Sequence, residues 1–166
     1  MTLTRRTGRI VTIRPITEQD YPPVISVLND WWGGRRMSDM LPRLFFKHFQ
    51  QTSFIAEENG VIQGFLVGFI SQSHPDQAYI HFVGIHPDHR KGGMGKGLYK
   101  KFFDTVKNHG CKTVHLVTSP DNTNSIAYHA KMGFMIEKGN AEANGVLIHT
   151  DYDGPREDRV LFLKEL

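Results

Sequence analysis

One stretch of this sequence concentrates residues that could do chemistry: His86-Pro87-Asp88-His89-Arg90-Lys91-Gly92-Gly93-Met94-Gly95-Lys96-Gly97. Closely spaced glycines let the backbone approach a ligand, and successive amides can turn inward as an anion-binding nest. Leu98, Phe102 and Val106 follow at helical spacing. A helix N-terminus aimed at the same point adds partial positive charge. The glycine loop is thus a candidate phosphate cradle, with Arg90, Lys91 and Lys96 adding screening charge. A nucleoside-triphosphate loop is excluded, because Gly97 stands where Ser or Thr is needed and Arg90 where glycine is needed. The dinucleotide pattern G-x-G-x-x-G fails at Leu98, and no early βαβ unit precedes it. The plain alternative is a connector loop rich in helix-start glycines.

The remaining reactive side chains are sparser. His86 and His89 frame Pro87-Asp88, but His-x-x-His on a turn without further ligands does not make a metal site, and no metal is expected. Cys111 is the single cysteine. It excludes an intrachain disulfide, favours a reducing, cytoplasmic setting, and reads as a structural thiol rather than a nucleophile.

These residues must be positioned by one domain. The chain has 166 residues, 39% apolar and 22% charged, which fits a single globular domain over 1–166. No apolar run approaches the roughly 20 residues that span a bilayer, and no apolar segment follows the basic N-terminus, so neither membrane nor secretory signal is expected. Residues 1–9, with Arg5, Arg6 and Arg9, read as a flexible basic tail. The basic residues lack interleaved aromatics or a helix-turn-helix pattern, so no specific nucleic acid is expected.

Apolar periodicity predicts a strand at 11–14, a helix after Thr17, and a second helix carrying Leu41, Leu44, Phe45 and Phe49. Strands at 53–58 and 61–71 are joined by Asn59-Gly60, the strongest short hairpin signal. A strand at 78–85 puts Tyr79, His81, Val83 and Ile85 on one face and Ile80, Phe82 and Gly84 on the other. Then follow a helix ended by Gly110, a strand at 113–118, a short helix to Met132, a strand from Phe134, a loop over 138–145, and strands at 146–149 and 159–164. The order is that of a mixed α+β domain.

The pattern Arg90-x-x-Gly93-x-Gly95, after Val83-Gly84-Ile85-His86-Pro87, resembles the acetyl-coenzyme A motif of the GNAT N-acetyltransferase superfamily. A second segment agrees: Asn122 opens a short helical stretch, Ser125-Ile126-Ala127-Tyr128-His129-Ala130-Lys131-Met132, that ends in Gly133-Phe134. The resemblance covers roughly residues 12–163. It implies a mixed, mostly antiparallel twisted sheet with splayed central strands, flanked by about four helices. The splayed strands would be 78–85 and 113–118. It further implies that acetyl-coenzyme A lies in the splay, with its diphosphate on the amides of 90–96. Its pantetheine would pair with the backbone of Val83, Gly84 and Ile85, and Asn122 and Ser125 would line it.

The implied reaction is direct attack of an amine on the thioester, which needs a base, oxyanion donors and an acid for the leaving thiolate. The family's usual acid is a tyrosine, whose slot holds His129 here; Tyr128 beside it is expected to face the core. His81 is the candidate base. The acceptor wall is expected from Trp31, Trp32 and Arg35 between the first helices, from Tyr79, and from an acidic loop containing Asp151. The acceptor would be a small-molecule or peptide amine. A non-catalytic coenzyme A sensor is the alternative, and sheet-edge pairing leaves a homodimer open.

Overall fold

The computed structural model describes residues 2–4 and 10–166. β1 (Thr2–Thr4) lies at a sheet edge, antiparallel to β2 (Ile10–Pro15). Of the basic tail expected over 1–9, these three residues alone are described, as a strand; the rest lies outside the described residues. Alternation along β2 buries Val11 and Ile13. A single 3-10 turn, Glu18–Asp20, then leads into α1 (Tyr21–Trp31), whose Pro22 and Pro23 occupy the first turn, where the missing N–H groups would go unpaired anyway. α2 (Leu44–His48) is shorter than the periodicity predicts, because Leu41 belongs to a preceding 3-10 turn and Pro42 to the link that follows.

β3 (Phe54–Glu58) and β4 (Val61–Ile70) form the expected hairpin through Asn59 and Gly60, both at positive φ. β5 (Gln77–Ile85), α3 (Met94–Asn108), β6 (Thr113–Thr118) and α4 (Thr123–Lys131) follow in the predicted order. β7 is reduced to Met135–Ile136. The expected loop over 138–145 instead contains β8 (Ala141–Ala143), which pairs with β9 (Val146–Ile148). The signal was present: Asn144-Gly145 repeats the Asn-Gly turn of 59–60, again with positive φ at both residues. β10 (Val160–Glu165) completes the main sheet. Its order is β1-β2-β3-β4-β5-β6-β10-β7, antiparallel throughout except between β5 and β6.

Each face of the sheet carries its own core. α3 buries Met94, Leu98, Tyr99, Phe102 and Val106 against Leu66, Ile80, Val114, Leu116 and Phe162. On the opposite face α1 and α2 bury Val24, Leu28, Trp31, Phe45 and Phe46 against Ile55, Phe65, Val67 and Phe82. Ile80 and Phe82 therefore point to opposite faces, contrary to the alternation expected for this strand. The cause is a β-bulge. Val67 faces Phe82 and the next pair is Gly68 with Ile80, so His81 is an extra residue that shifts the parity of everything after it.

One ionic network anchors the N-terminal half. Arg14 clamps Asp20 through both guanidinium nitrogens, at 2.9 and 2.8 Å, and reaches Glu57 at 3.3 Å. The Thr17 N–H and hydroxyl also donate to Asp20. Burial alone would raise the Asp20 pKa, but the Arg14 and Thr17 hydrogen bonds outweigh it and hold it below 3.8. A depressed carboxylate contributes stability that is fully present above its unfolded value and is lost as pH falls through the lower folded value. Asp20→Asn should therefore destabilise the protein at pH 7 by about 2 kcal/mol, a removed-partner effect reduced because Arg14 is partly exposed. In denaturant titrations the gap to wild type should close as the pH drops below 4. Gly68→Ala should also destabilise, by about 1–3 kcal/mol, because the new Cβ would lie 2.5 Å from the Phe102 ring and 2.7 Å from the Tyr79 carbonyl.

Candidate active site

The glycine loop adopts the geometry of an anion cradle. Gly93 is the N-cap of α3 at φ 80°, a left-handed conformation that side chains resist. The first bond of the helix runs from the Gly97 N–H to the Gly93 carbonyl. The N–H groups of Met94, Gly95 and Lys96 therefore precede any intrahelical partner and point out of the helix end. Lys91 and Lys96 are exposed beside them. Two of the residues of this loop depart from expectation, and Met94 has a second role. The Gly92 N–H donates to the His89 carbonyl, within the turn. The Met94 side chain is a core anchor. The Arg90 guanidinium donates to the carbonyls of Ile85 and Trp31, so it ties the loop to the end of α1 rather than standing free as charge.

Below the cradle β5 and β6 part. They pair in parallel only at Gln77, Ala78 and Tyr79 against Thr113, Val114 and His115. β5 continues to Ile85 on β4, and β6 to Thr118 on β10, which leaves a wedge between them. The His86 N–H donates to Gln63 on β4. Strand alternation then turns the backbone groups of Gly84 toward β4 and those of Val83 and Ile85 into the wedge. Gly84 is needed for packing instead: a Cβ there would lie 2.4 Å from the Phe65 ring and 3.1 Å from Trp32.

α4 supplies the far wall, and it reverses the expected orientation of its two central residues. His129 is 7% exposed, among Tyr99, Phe134 and Phe162. Its Nδ1–H donates to the Ser125 carbonyl at 2.8 Å, and its Nε2 accepts from the Tyr99 hydroxyl at 2.8 Å. Burial lowers its pKa despite the Ser125 bond, so the ring is neutral with both nitrogens engaged. Tyr128 is 41% exposed, and its hydroxyl lies 3.0 Å from where a Gly95 Cβ would be. It reaches over the first turn of α3, and partial burial raises its pKa. Asn122 caps α4 by accepting from the Ser125 N–H. Adjacent helical residues diverge by about 100°, so only one of the pair can face the wedge. Packing against Phe134 and Phe162 decides which.

Opposite α4, the expected acceptor residues separate. Trp31 is a core residue, stacked on Phe65. Trp32 is half-buried against Phe82 at the wedge, with Arg90 over its ring. Arg35 is exposed on the turn after α1. Tyr79 stacks on Phe69, and its pKa is pushed up to about 12 by burial and then by Tyr152 and Asp153, against the opposing effect of Arg159. The 151–159 loop thus lies close enough to Tyr79 for its charges to act there. Asp151 organises the loop itself, accepting from the Arg156 N–H at 2.6 Å, while Asp153 and Glu157 hold Arg159. His81 stands in the bulge on the α2 side, stacked on Phe45. Cys111 is buried with its pKa raised, first by desolvation and then by Asp76. Among the described residues no cluster of three or more His, Cys, Asp or Glu could hold a metal, and no helix is long and apolar enough to cross a membrane.

Known proteins share this architecture. A diaminobutyrate acetyltransferase from Paenibacillus lautus, solved with L-2,4-diaminobutyric acid and coenzyme A, superposes with a TM-score of 0.69 at 22% identity, covering 95% of this chain and 96% of that one. The ribosomal-protein-S18-alanine N-acetyltransferase of Escherichia coli gives 0.65 at 20% identity, covering 93% of both. In sequence, the L-2,4-diaminobutyric acid acetyltransferase of Nocardia farcinica is 34% identical over 87 residues, 52% of this chain and 45% of that protein. The match thus spans about half the length of that curated relative. The model of the acetyltransferase (GNAT) family matches residues 15–134, most of the chain, and both the glycine cradle and the splayed strands lie inside that match: the protein belongs to the GNAT acetyltransferase family.

Proposed function

We propose that this protein transfers an acetyl group from acetyl-coenzyme A to a primary amine by direct attack in a ternary complex. The observation that carries this is the meeting of two features at one place. An amide-lined helix start can take a diphosphate, and it opens directly onto an unpaired strand edge that can take the amide-bearing pantetheine as an added strand. The residues present fit that molecule: Met94, Gly95 and Lys96 offer N–H donors, Gly93 allows close approach, and Val83 and the Ile85 N–H offer edge groups. When bound, it supplies the activated acyl group, so no protein nucleophile is needed.

On the leaving-group side we assign the acid to Tyr128 rather than His129. The Tyr128 hydroxyl lies over Gly95 in the first turn of α3, and burial raises its pKa, so the phenol stays protonated across neutral pH. A tyrosine in this place argues against the non-catalytic sensor alternative. On the acceptor side, the 151–159 loop carries Asp151, Asp153, Glu157 and Asp158 against Arg156 and Arg159, while Arg35 stands on the turn after α1. Such a mouth suits a small amine that also bears a carboxylate. Two relatives are named for L-2,4-diaminobutyrate, so that diamino acid heads the acceptor panel. The buried lone thiol of Cys111 suits a reducing, cytoplasmic setting.

Calorimetry with coenzyme A and thiol release from acetyl-coenzyme A over an amine panel test the proposal directly. Binding with acceptor-dependent thiol release is expected; no binding would refute it. Gly93→Ala, forced to a positive φ, should weaken coenzyme A binding about tenfold, as a backbone strain of roughly 1–2 kcal/mol implies. Tyr128→Phe should lower kcat by 10-fold to 100-fold with KM for the acceptor little changed. His129→Phe should instead cost about 1–3 kcal/mol of stability by orphaning the buried Tyr99 hydroxyl, with kcat per folded molecule retained.

A further inference from the structure

At the branch point of β5 and β6 the His81 ring has a fixed orientation, and its Nδ1 has no hydrogen-bond partner among the described residues. His81 is the bulged residue of β5, two residues beyond Tyr79, where the pairing to β6 ends. Its ring lies flat on Phe45, with centroids 4.3 Å apart and planes 8° apart. Its Nε2 sits 2.6 Å from the Met40 carbonyl, on the segment between α1 and α2. A carbonyl only accepts, so Nε2 carries the hydrogen and the lone pair of the neutral ring is left at Nδ1. Met40 and Phe45 thus set the tautomer and the ring plane, while the bulge turns the side chain to the acceptor side of the sheet.

We propose that His81 is the general base of the acetyl transfer and that Nδ1 is the atom that takes the proton of the acceptor ammonium. This rests on the acetyltransferase reading above. An N–H bond of the ammonium breaks and its proton moves to Nδ1. The freed lone pair forms the C–N bond to the thioester carbonyl carbon, and the C–S bond breaks. The sulfur takes a proton from the Tyr128 phenol, which is restored by the second proton of the acetylated nitrogen. His81 returns its proton to solvent, so one amide, one thiol and one proton are formed.

Most ionisable groups on the elements around His81 have other partners. Asp39 pairs with Arg36, Arg43 lies over Tyr21 and near Glu18, Tyr79 stacks on Phe69, and His115 meets the Thr113 hydroxyl. Lys47 and His48, on α2, are exposed. None of these groups bonds to His81.

The test combines a variant with a spectroscopic measurement. His81→Gln keeps an N–H for the Met40 carbonyl and lacks a base. It should bind coenzyme A as the wild type does, yet lose about 100-fold in kcat/KM for an alkylamine, together with the rise of that rate with pH. The loss should shrink several-fold for a methoxyamine acceptor, which is neutral at pH 7. A variant within threefold of wild type with the pH rise intact would overturn the assignment, as would an equal loss for methoxyamine and alkylamine. Independently of any variant's folding, nitrogen-15 spectra of the histidines in the wild-type protein should show His81 as the Nε2–H tautomer; the Nδ1–H tautomer would overturn it. A wild type that binds coenzyme A but releases no thiol with any amine would sink the parent reading, an outcome distinct from either of these.

Discussion

β5 parts from its parallel neighbour β6 at a bulge, and the rest of the site follows from that parting. β5 holds β6 for three residue pairs and then meets its extra residue at His81. Beyond it β5 stays with β4, β6 stays with β10, and a wedge opens between them. A sheet interior with unpaired backbone is unfavourable unless another polar chain fills it. That makes the wedge a place for an amide-bearing ligand. The bulge also reverses strand parity, sending Phe82 to the α1/α2 core and Val83 and Ile85 to the α3 side.

The glycine cradle is built on the same strand and depends on its end. Ile85 closes β5, and the Arg90 guanidinium bridges the Ile85 carbonyl to the last turn of α1. One arginine thereby locks the loop across both faces of the sheet. Its N–H donors are taken by two carbonyls, and Lys91, Lys96 and the helix dipole add positive charge at the cradle. Met94 fixes the helix start from below, buried in the core with its sulfur beside Gly64, so the amides of the first turn are held by packing and not by flexible side chains.

The two residues at the centre of α4 show how packing divides roles between neighbours. A histidine beside a tyrosine offers two plausible acids on chemistry alone. The core accepts His129 because a neutral imidazole can satisfy both of its nitrogens, one on the Ser125 carbonyl and one on the Tyr99 hydroxyl. Tyr128, pointing about 100° away, is left at the wedge. The tryptophan pair after α1 divides in the same manner, with Trp31 stacked in the core and Trp32 at the cleft.

Local sequence determined much of this protein: the order of its elements, the Asn59-Gly60 hairpin, the lone structural cysteine, and the glycine loop at a helix start. These are consequences of periodicity and of glycine's freedom at positive φ, which act over a few residues. The tertiary structure alone decided which residues of those elements meet. The bulge at His81 follows from pairing with β4, the burial of His129 follows from Phe134 and Phe162, and the capture of Arg90 follows from a carbonyl far away in the chain on α1. A one-residue change of strand register, or a turn of about 100° on a helix, exchanges a core residue for a site residue at almost no local cost. Only contacts between distant elements carry enough free energy to choose between them.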